Sequence, residues 1–226
     1  IANRILAREN ILDGYGHVSV RSPENGERFY MSRSRSPELI TRDDLMEFTL
    51  DCEPIDQRGR PMYSERPIHG MIYEARPEAM AVVHSHVPSV LPFGVTGAPL
   101  RPLCHMAAII GADIPVWDIA DEFGDTNLLV RNRDQGRSLA RTLGKRQVTL
   151  MRGHGCAIAA GSLPEAVWTA IYLELNARLQ MQAQQLGTVK FLSPAEIERC
   201  AEMAQDPRTR SRSWEYWRAR AGYAGI

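Results

Sequence analysis

The apolar positions of the chain follow two spacings, and the change from one to the other predicts a mixed α/β protein. Short alternating or continuous apolar runs predict strands at residues 16–20, 28–31, 46–50, 79–83, 147–151 and 156–160. Apolar positions three and four apart predict helices at residues 1–13, 64–76, 127–142, 163–186 and 193–205. Because these elements mix without a regular βαβ alternation, we expect an α/β fold of three α/β/α layers around a sheet with antiparallel content.

Two of the predicted helices carry further expectations. Gly136 lies inside the segment 127–142 and is expected to break it, since glycine is a poor helix former. The segment 163–186 predicts the longest helix, and its apolar side chains form one stripe that we expect to be buried: Val167, Ile171, Leu175 and Leu179.

Length and composition narrow the class of protein. With 226 residues, of which 44% are apolar, the chain can form one large domain over residues 1–226. Lys and Arg together number 27, as do Asp and Glu, so net charge gives no argument for nucleic acid or an anionic membrane. Four cysteines without a C-x-x-C pair, and no signal peptide pattern or run of 18 apolar residues, predict a cytoplasmic protein. The chain does not begin with Met, which leaves room for a segment upstream of Ile1.

The C-terminal tail, residues 206–226, is basic and aromatic, with Trp214, Tyr216, Trp217 and Tyr223. Such a pattern suits either a nucleic-acid-binding arm or a subunit interface. Its arginines are not accompanied by a cluster of lysines, so the evidence for nucleic-acid binding is weak. Trp, Tyr and Arg are enriched at protein interfaces. We therefore expect no nucleic-acid partner, and we expect the tail to pack between subunits of a homo-oligomer.

A pair of histidines follows the predicted strand 79–83. Side chains two apart on a strand share a face, so His84 and His86 point the same way, with Cα atoms about 6.6 Å apart. Two imidazoles at that spacing can bind one metal ion at about 2.1 Å. The alternative is a pair of ordinary core or surface histidines. Burying two unpaired imidazoles side by side costs a few kcal/mol, so we favour a metal site.

Further candidate ligands lie before and after this strand. Ser64 is typical of a helix N-cap, which would place Glu65 in the first helical turn and His69 on the same helix face. His154, in the Gly153-His154-Gly155 turn, is the obvious third histidine. His105 lies in an apolar segment and is either a core residue or a hydrogen-bond partner of the metal ligands; we favour the core position.

The segment 32–37, Ser-Arg-Ser-Arg-Ser-Pro, is small, hydroxylated and basic. It is either a mobile solvated loop or a loop that binds a substrate anion through hydroxyl and guanidinium groups. The residues alone do not decide between the two.

Three motifs, in this order, resemble the class II aldolase/adducin family: Ser64-Glu65 opening a helix, His84-Ser85-His86 on a strand, and Gly153-His154-Gly155 before a strand and a long helix. The resemblance implies a mostly antiparallel sheet between helical layers and a tetramer with active sites between subunits. It also implies that His84, His86 and His154 bind a divalent metal, Mn²⁺ or Zn²⁺. Glu65 would add a ligand or act as general acid/base.

The chain differs from the sugar-phosphate aldolases of that family at three substrate-binding pairs. Their Gly-Asn, Thr-Gly and Ser-Ser pairs correspond here to Gly16-His17, Ser34-Arg35 and Tyr63-Ser64. This pattern resembles the branch that decarboxylates hydroxylated aromatic dicarboxylates, of the hydroxypyridine-dicarboxylate or dihydroxyphthalate type.

The resemblance to that branch implies a metal-dependent carbon–carbon lyase acting on a small aromatic carboxylate. Arg35, with Ser34 and Ser64, would bind a second carboxylate. Glu65 or His69, with His17 as a third candidate, would deliver the proton that replaces CO₂. The alternatives are an aldolase or epimerase acting on a sugar phosphate or aldonic acid, and a non-catalytic adducin-like assembly module.

Overall fold

A single sheet organises the chain. The computed structural model describes residues 1–223, without the side chains of residues 204 and 205; the last three residues of the predicted tail lie outside it. The seven strands of the sheet are β1 (His17–Arg21), β2 (Arg28–Ser32), β3 (Leu45–Thr49), β4 (Ala81–Ser85), β5 (Val116–Trp117), β6 (Val148–Met151) and β7 (Gly155–Ala160). Their order is β3-β2-β1-β4-β7-β6-β5, and every neighbouring pair is antiparallel except β5 and β6. The predicted mostly antiparallel sheet is confirmed.

Helices cover both faces of this sheet. They are α1 (Ala2–Arg8), α2 (Arg66–Ala75), α3 (Leu91–Thr96), α4 (Ala120–Phe123), α5 (Arg133–Leu143), α6 (Leu163–Leu186), α7 (Pro194–Gln205) and α8 (Pro207–Arg220). Alternate β4 side chains enter different cores: Ala81 and Val83 pack with α1 and α6, whereas Val82 packs with α2 and α5. This alternation makes the three α/β/α layers that the pattern predicted. None of the helices in the described part of the chain is long and apolar enough to cross a membrane.

The longest helix has the predicted bounds but a different buried face. Leu175 and Leu179 are only partly buried, whereas Asn176 and Gln180 are fully buried. Asn176 accepts a hydrogen bond from Leu103 N at 2.8 Å, and Gln180 accepts one from Arg101 N at 2.9 Å. The predicted stripe was wrong there, because hydrogen-bonded amides can be buried where a pattern based on apolarity expects leucines.

The predicted break at Gly136 was also wrong. Helix α5 begins at Arg133, later than expected, and continues through Gly136. A Cβ at Gly136 would lie 2.6 Å from the Pro67 carbonyl oxygen and 2.7 Å from Met71 Cγ. The glycine therefore permits α5 to approach α2 closely, which matters because α2 carries part of the candidate site.

Two smaller predictions are corrected. Glu65, not Ser64, is the N-cap residue of α2, and Ser64 is exposed. His105 is exposed and lies outside the core. In the tail, Trp217 is buried in its own chain, with its ring centroid 5.9 Å from that of Trp168, and packing of the tail between subunits stays a prediction.

Candidate metal centre and adjoining cavity

The three candidate ligand histidines meet because β4 and β7 are neighbours in the sheet. His84 lies near the end of β4, His86 directly follows that strand, and His154 lies in the turn between β6 and β7. At Gly155 the chains come so close that a Cβ would lie 2.1 Å from the Ser85 carbonyl oxygen. Glycine at this position thus brings the His154 turn against the end of β4.

Four potential ligand atoms converge at this point. Glu65, His84, His86 and His154 each offer an atom, and all four atoms lie within 4.8 Å of one another. The His86 Nε2 atom is 2.9 Å from Nε2 of His84 and 3.1 Å from Nε2 of His154. The Glu65 Oε2 atom is 3.7 Å and 3.5 Å from the Nε2 atoms of His84 and His154.

Hydrogen-bond counting favours a cation among these atoms. His84 Nδ1 donates to the Cys156 carbonyl oxygen at 3.0 Å, which leaves a lone pair on Nε2 of the neutral ring. Burial lowers the pKa of His84 and of His86, so both rings are neutral at physiological pH. His86 Nε2 cannot donate toward His84 and at the same time form a hydrogen bond with His154. At least one of these two close nitrogen–nitrogen contacts is therefore not a hydrogen bond, as expected where nitrogen atoms surround a shared cation.

The spacing of the four atoms also fits a metal ion. Ligand atoms of a tetrahedral ion with bonds of about 2.1 Å lie about 3.4 Å apart, close to the observed separations. Three neutral imidazoles and one carboxylate suit Zn²⁺, Mn²⁺ and related divalent ions. His154 differs from His84 in one respect: its Nδ1 is buried without a hydrogen-bond partner among the described residues.

Glu65 is held as a carboxylate. Its Oε1 atom accepts a hydrogen bond from Val130 N at 3.0 Å, and its Oε2 atom faces the histidines. Burial alone would raise the pKa of Glu65. Hydrogen bonding from His154, electrostatic attraction by the His84 and His154 rings and the Val130 N–H outweigh that effect and lower the pKa to about 2. At neutral pH this side chain is an anion, which suits a metal ligand.

A cavity of about 440 Å³ opens beside the cluster, within the usual range of small-molecule sites. The residues that line it include Tyr15, His17, Arg35, Ser64, Glu65 and His86. Ser34 also contributes, and both serines are exposed. The three replaced substrate-binding pairs of the sequence therefore meet at one cavity.

Arg35 is anchored at the edge of this cavity by an acid. Its Nη1 atom donates to Asp44 Oδ2 at 2.9 Å, and Arg33 donates to the other carboxylate oxygen at 2.5 Å. Burial would raise the pKa of Asp44, but hydrogen bonds from Thr41 and Arg33 and the charge of Arg35 hold it well below its usual range. Two guanidinium groups share one carboxylate, so this edge keeps a net positive charge.

His69, the second residue predicted to carry protons, lies behind His17. It is fully buried, and its Nε2 atom is 2.7 Å from Nδ1 of His17. His17, by contrast, lines the cavity. Any action of His69 on a molecule in the cavity therefore passes through His17.

Sequence reasoning assigned no role to two tyrosines at this cavity. The Tyr63 hydroxyl donates to the Arg35 carbonyl oxygen at 2.5 Å, and its ring centroid is 4.6 Å from that of His17. Tyr15 is 72% exposed, with its ring centroid 6.5 Å from that of His86. Each adjoins a predicted motif, Tyr63 next to Ser64 and Tyr15 next to Gly16, and that proximity was the available signal.

The fold and the ligand cluster define the class of protein. The sequence profile of the "Class II Aldolase and Adducin N-terminal domain" family matches residues 1–181. The chain belongs to this family, as its three motifs indicated. A crystal structure of an aldolase II superfamily protein from Pseudomonas syringae has the same fold, with a TM-score of 0.81 and 22% identity over 99% of this chain and 90% of that one.

Within the family, the chain is similar to proteins named as decarboxylases. Decarboxylase tropJ of Talaromyces stipitatus is 40% identical over 237 residues, covering 94% of this chain and 88% of that protein. The 3,4-dihydroxyphthalate decarboxylase of Terrabacter sp. is 33% identical over 206 residues, covering 86% and 83%. The predicted resemblance to the decarboxylase branch is confirmed.

Proposed function

We propose that this protein is a metal-dependent decarboxylase of a hydroxylated aromatic dicarboxylate, of the hydroxypyridine-dicarboxylate or dihydroxyphthalate type. The observation that carries the proposal is the convergence of Glu65 and three histidines beside a cavity whose edge presents Arg35. The decarboxylase names of the relatives, one of which refers to a dihydroxyphthalate, support the same reaction.

Glu65, His84, His86 and His154 would hold the divalent ion, for which we propose Mn²⁺ or Zn²⁺. When bound, such an ion is a Lewis acid that can withdraw the negative charge developing on the ring. The hydrogen bond from His84 to Cys156 and that from Val130 to Glu65 orient two of the four ligands in advance.

The positive edge of the cavity would bind the carboxylate that is retained. A guanidinium group matches a planar carboxylate with two parallel hydrogen bonds, and Arg35 keeps donors free beyond the one given to Asp44. Ser34 and Ser64 line the same cavity and offer hydroxyl groups as further donors. This arrangement orients the substrate with its reacting carboxyl group toward the ligand cluster.

Loss of CO₂ breaks a carbon–carbon bond and leaves the electron pair on the ring carbon, which must then take up a proton. The low pKa of Glu65 favours a role as ligand or base over that of proton donor. His17 lines the cavity and is placed to reach a substrate there, while His69 would act only through its hydrogen bond to His17. We therefore assign the proton delivery to His17.

Two further expectations remain predictions: assembly as a homo-oligomer, with a tetramer implied by the family, and location in the cytoplasm. The alternative activity, an aldolase or epimerase for a sugar phosphate or aldonic acid, uses the same ligand set. The two activities are distinguished by their products, because a decarboxylase releases CO₂ and an aldolase releases an aldehyde.

The test is a product assay on metal-loaded protein. We would incubate it separately with hydroxylated aromatic dicarboxylates, including 3,4-dihydroxyphthalate, and with sugar phosphates, following CO₂ and aldehyde release. We expect CO₂ from an aromatic acid with a hydroxyl group ortho to the lost carboxyl group, and no turnover by Glu65→Gln. Aldehyde without CO₂ would establish the aldolase alternative instead.

A further inference from the structure

A row of buried polar side chains leads from the cavity into the core. His17, Ser19 and Arg21 share one face of β1, and His69 and Tyr73 share one face of α2. The two sets interleave. His17 Nδ1 is 2.7 Å from His69 Nε2, Ser19 Oγ is 2.6 Å from His69 Nδ1, and Ser19 Oγ is 2.8 Å from the Tyr73 hydroxyl.

The position of each proton decides which group donates and which accepts in the hydrogen bonds of this row. Among the described residues, Ser19 Oγ is the only recorded side-chain partner of the Tyr73 hydroxyl, and the Val82 backbone N–H, which also bonds to it, can only donate. Tyr73 is 1% exposed, and burial raises the pKa of its phenol, so the hydroxyl keeps its proton and donates it to Ser19. Donation in the reverse direction would leave a buried hydroxyl proton without an acceptor, which is costly.

The remaining protons follow from that first one. The Ser19 hydroxyl accepts from Tyr73 and so donates to His69 Nδ1. His69 then carries its proton on Nε2 and donates it to His17 Nδ1. His17 in turn carries its proton on Nε2, the ring nitrogen left for the cavity that this residue lines.

Arg21 lies at the inner end of the row and favours the same direction. It is buried, donates to the Tyr73 carbonyl oxygen at 2.7 Å, and its guanidinium carbon is 4.8 Å from the centroid of the Tyr73 ring. Each O–H or N–H dipole in the row then turns its positive end away from this buried cation and toward the cavity.

We propose that Ser19, with Tyr73, is a positioning residue that acts through His69 to hold the ring proton of His17 on Nε2, facing the cavity. His17 thereby presents a fixed N–H donor to an anionic aromatic substrate. For its effect on turnover, this inference rests on the proposed decarboxylase function. The placement of the protons does not depend on that function.

The experiment is neutron diffraction on deuterium-exchanged, Zn²⁺-loaded crystals without substrate, for the wild type, Ser19→Ala and Ser19→Thr. In the wild type we expect deuterium on Nε2 of both His17 and His69. Ser19→Thr keeps the hydroxyl and should keep this pattern. Ser19→Ala should lose it, with deuterium shared between the ring nitrogens of His17 or moved to Nδ1. Deuterium on His17 Nδ1 in the wild type, or the unchanged pattern in Ser19→Ala, would overturn the inference.

Kinetics with 3,4-dihydroxyphthalate give a second measurement. We expect Ser19→Ala to lower kcat about tenfold, which is less than the rate factor that a positioned proton donor usually contributes. KM should change little, and Ser19→Thr should recover the wild-type kcat. An unchanged kcat in Ser19→Ala would overturn the catalytic part. If no form released CO₂ from any hydroxylated aromatic dicarboxylate of the product assay while the deuterium pattern was as expected, the proposed function would fail and the placement of the protons would stand.

Discussion

His69 should make the stability of the fold depend on pH. Burial lowers the pKa of His69 from its ordinary value of 6.5 to about 3 in the folded protein. Below pH 6.5, His69 therefore binds a proton in the unfolded chain but not in the folded protein. Since the unfolded state binds more protons, stability falls as the pH falls from 6.5 toward 3.

The magnitude follows from the same shift. Each pH unit below the unfolded pKa removes about 1.4 kcal/mol per excluded proton, so His69 alone should cost about 2 kcal/mol at pH 5 relative to neutral pH. Burial also lowers the pKa of His17, which adds a loss of the same sign. The variant His69→Gln removes one of these titrating groups.

The assay is urea unfolding of metal-free protein, followed by circular dichroism between pH 4.5 and 7. We expect the free energy of unfolding to rise with pH less steeply in His69→Gln than in the wild type, by up to about 1.4 kcal/mol per pH unit. The comparison uses slopes, so a lower overall stability of the variant does not affect it. Parallel curves for the two proteins would refute the conclusion that His69 is buried and neutral.

Three further predictions concern the strand contact, the metal and the cavity edge. Gly155→Ala should destabilise the protein by more than about 3 kcal/mol in urea unfolding, because the new Cβ would collide with the Ser85 carbonyl oxygen. Gly26→Ala is the control: its Cβ would have no atom within 4 Å, so the free energy of unfolding should change by less than about 0.5 kcal/mol. A chelator should lower the Tm of metal-loaded wild type by several degrees, because the ion binds only the folded cluster, and it should leave the Tm of His86→Ala unchanged. Arg35→Met should raise the KM for an aromatic dicarboxylate about tenfold or more, because a charged hydrogen bond to the substrate is lost. Arg58→Met removes an exposed arginine that pairs with Asp56, and it should leave the KM unchanged. Equal KM values for the two variants would contradict the assignment of Arg35.

The candidate ligand histidines could be predicted because their geometry is local. The two-residue repeat of a strand places His84 and His86 together, and the flanking glycines mark His154 as a tight turn. The hydrogen bond from Val130 to Glu65 could not be predicted, since it joins residues 65 positions apart whose contact depends on the whole fold.

The row behind His17 is an intermediate case. The spacing of His17, Ser19 and Arg21 on a strand, and of His69 and Tyr73 on a helix, was visible in the sequence. What the sequence lacked was the docking of α2 against β1, which interleaves the two sets. For the same reason the buried amides of α6 were missed: Asn176 and Gln180 are satisfied by loop backbone that only the tertiary structure brings to them.

The central claim is that the Glu65 and histidine cluster binds a divalent ion required for decarboxylation. Its most direct test measures CO₂ release from 3,4-dihydroxyphthalate by chelator-stripped protein, by the same protein reloaded with Mn²⁺ or Zn²⁺, and by His154→Ala treated identically. We predict CO₂ release from the reloaded wild type alone. Equal release by stripped and reloaded wild type, or by His154→Ala, would contradict the claim.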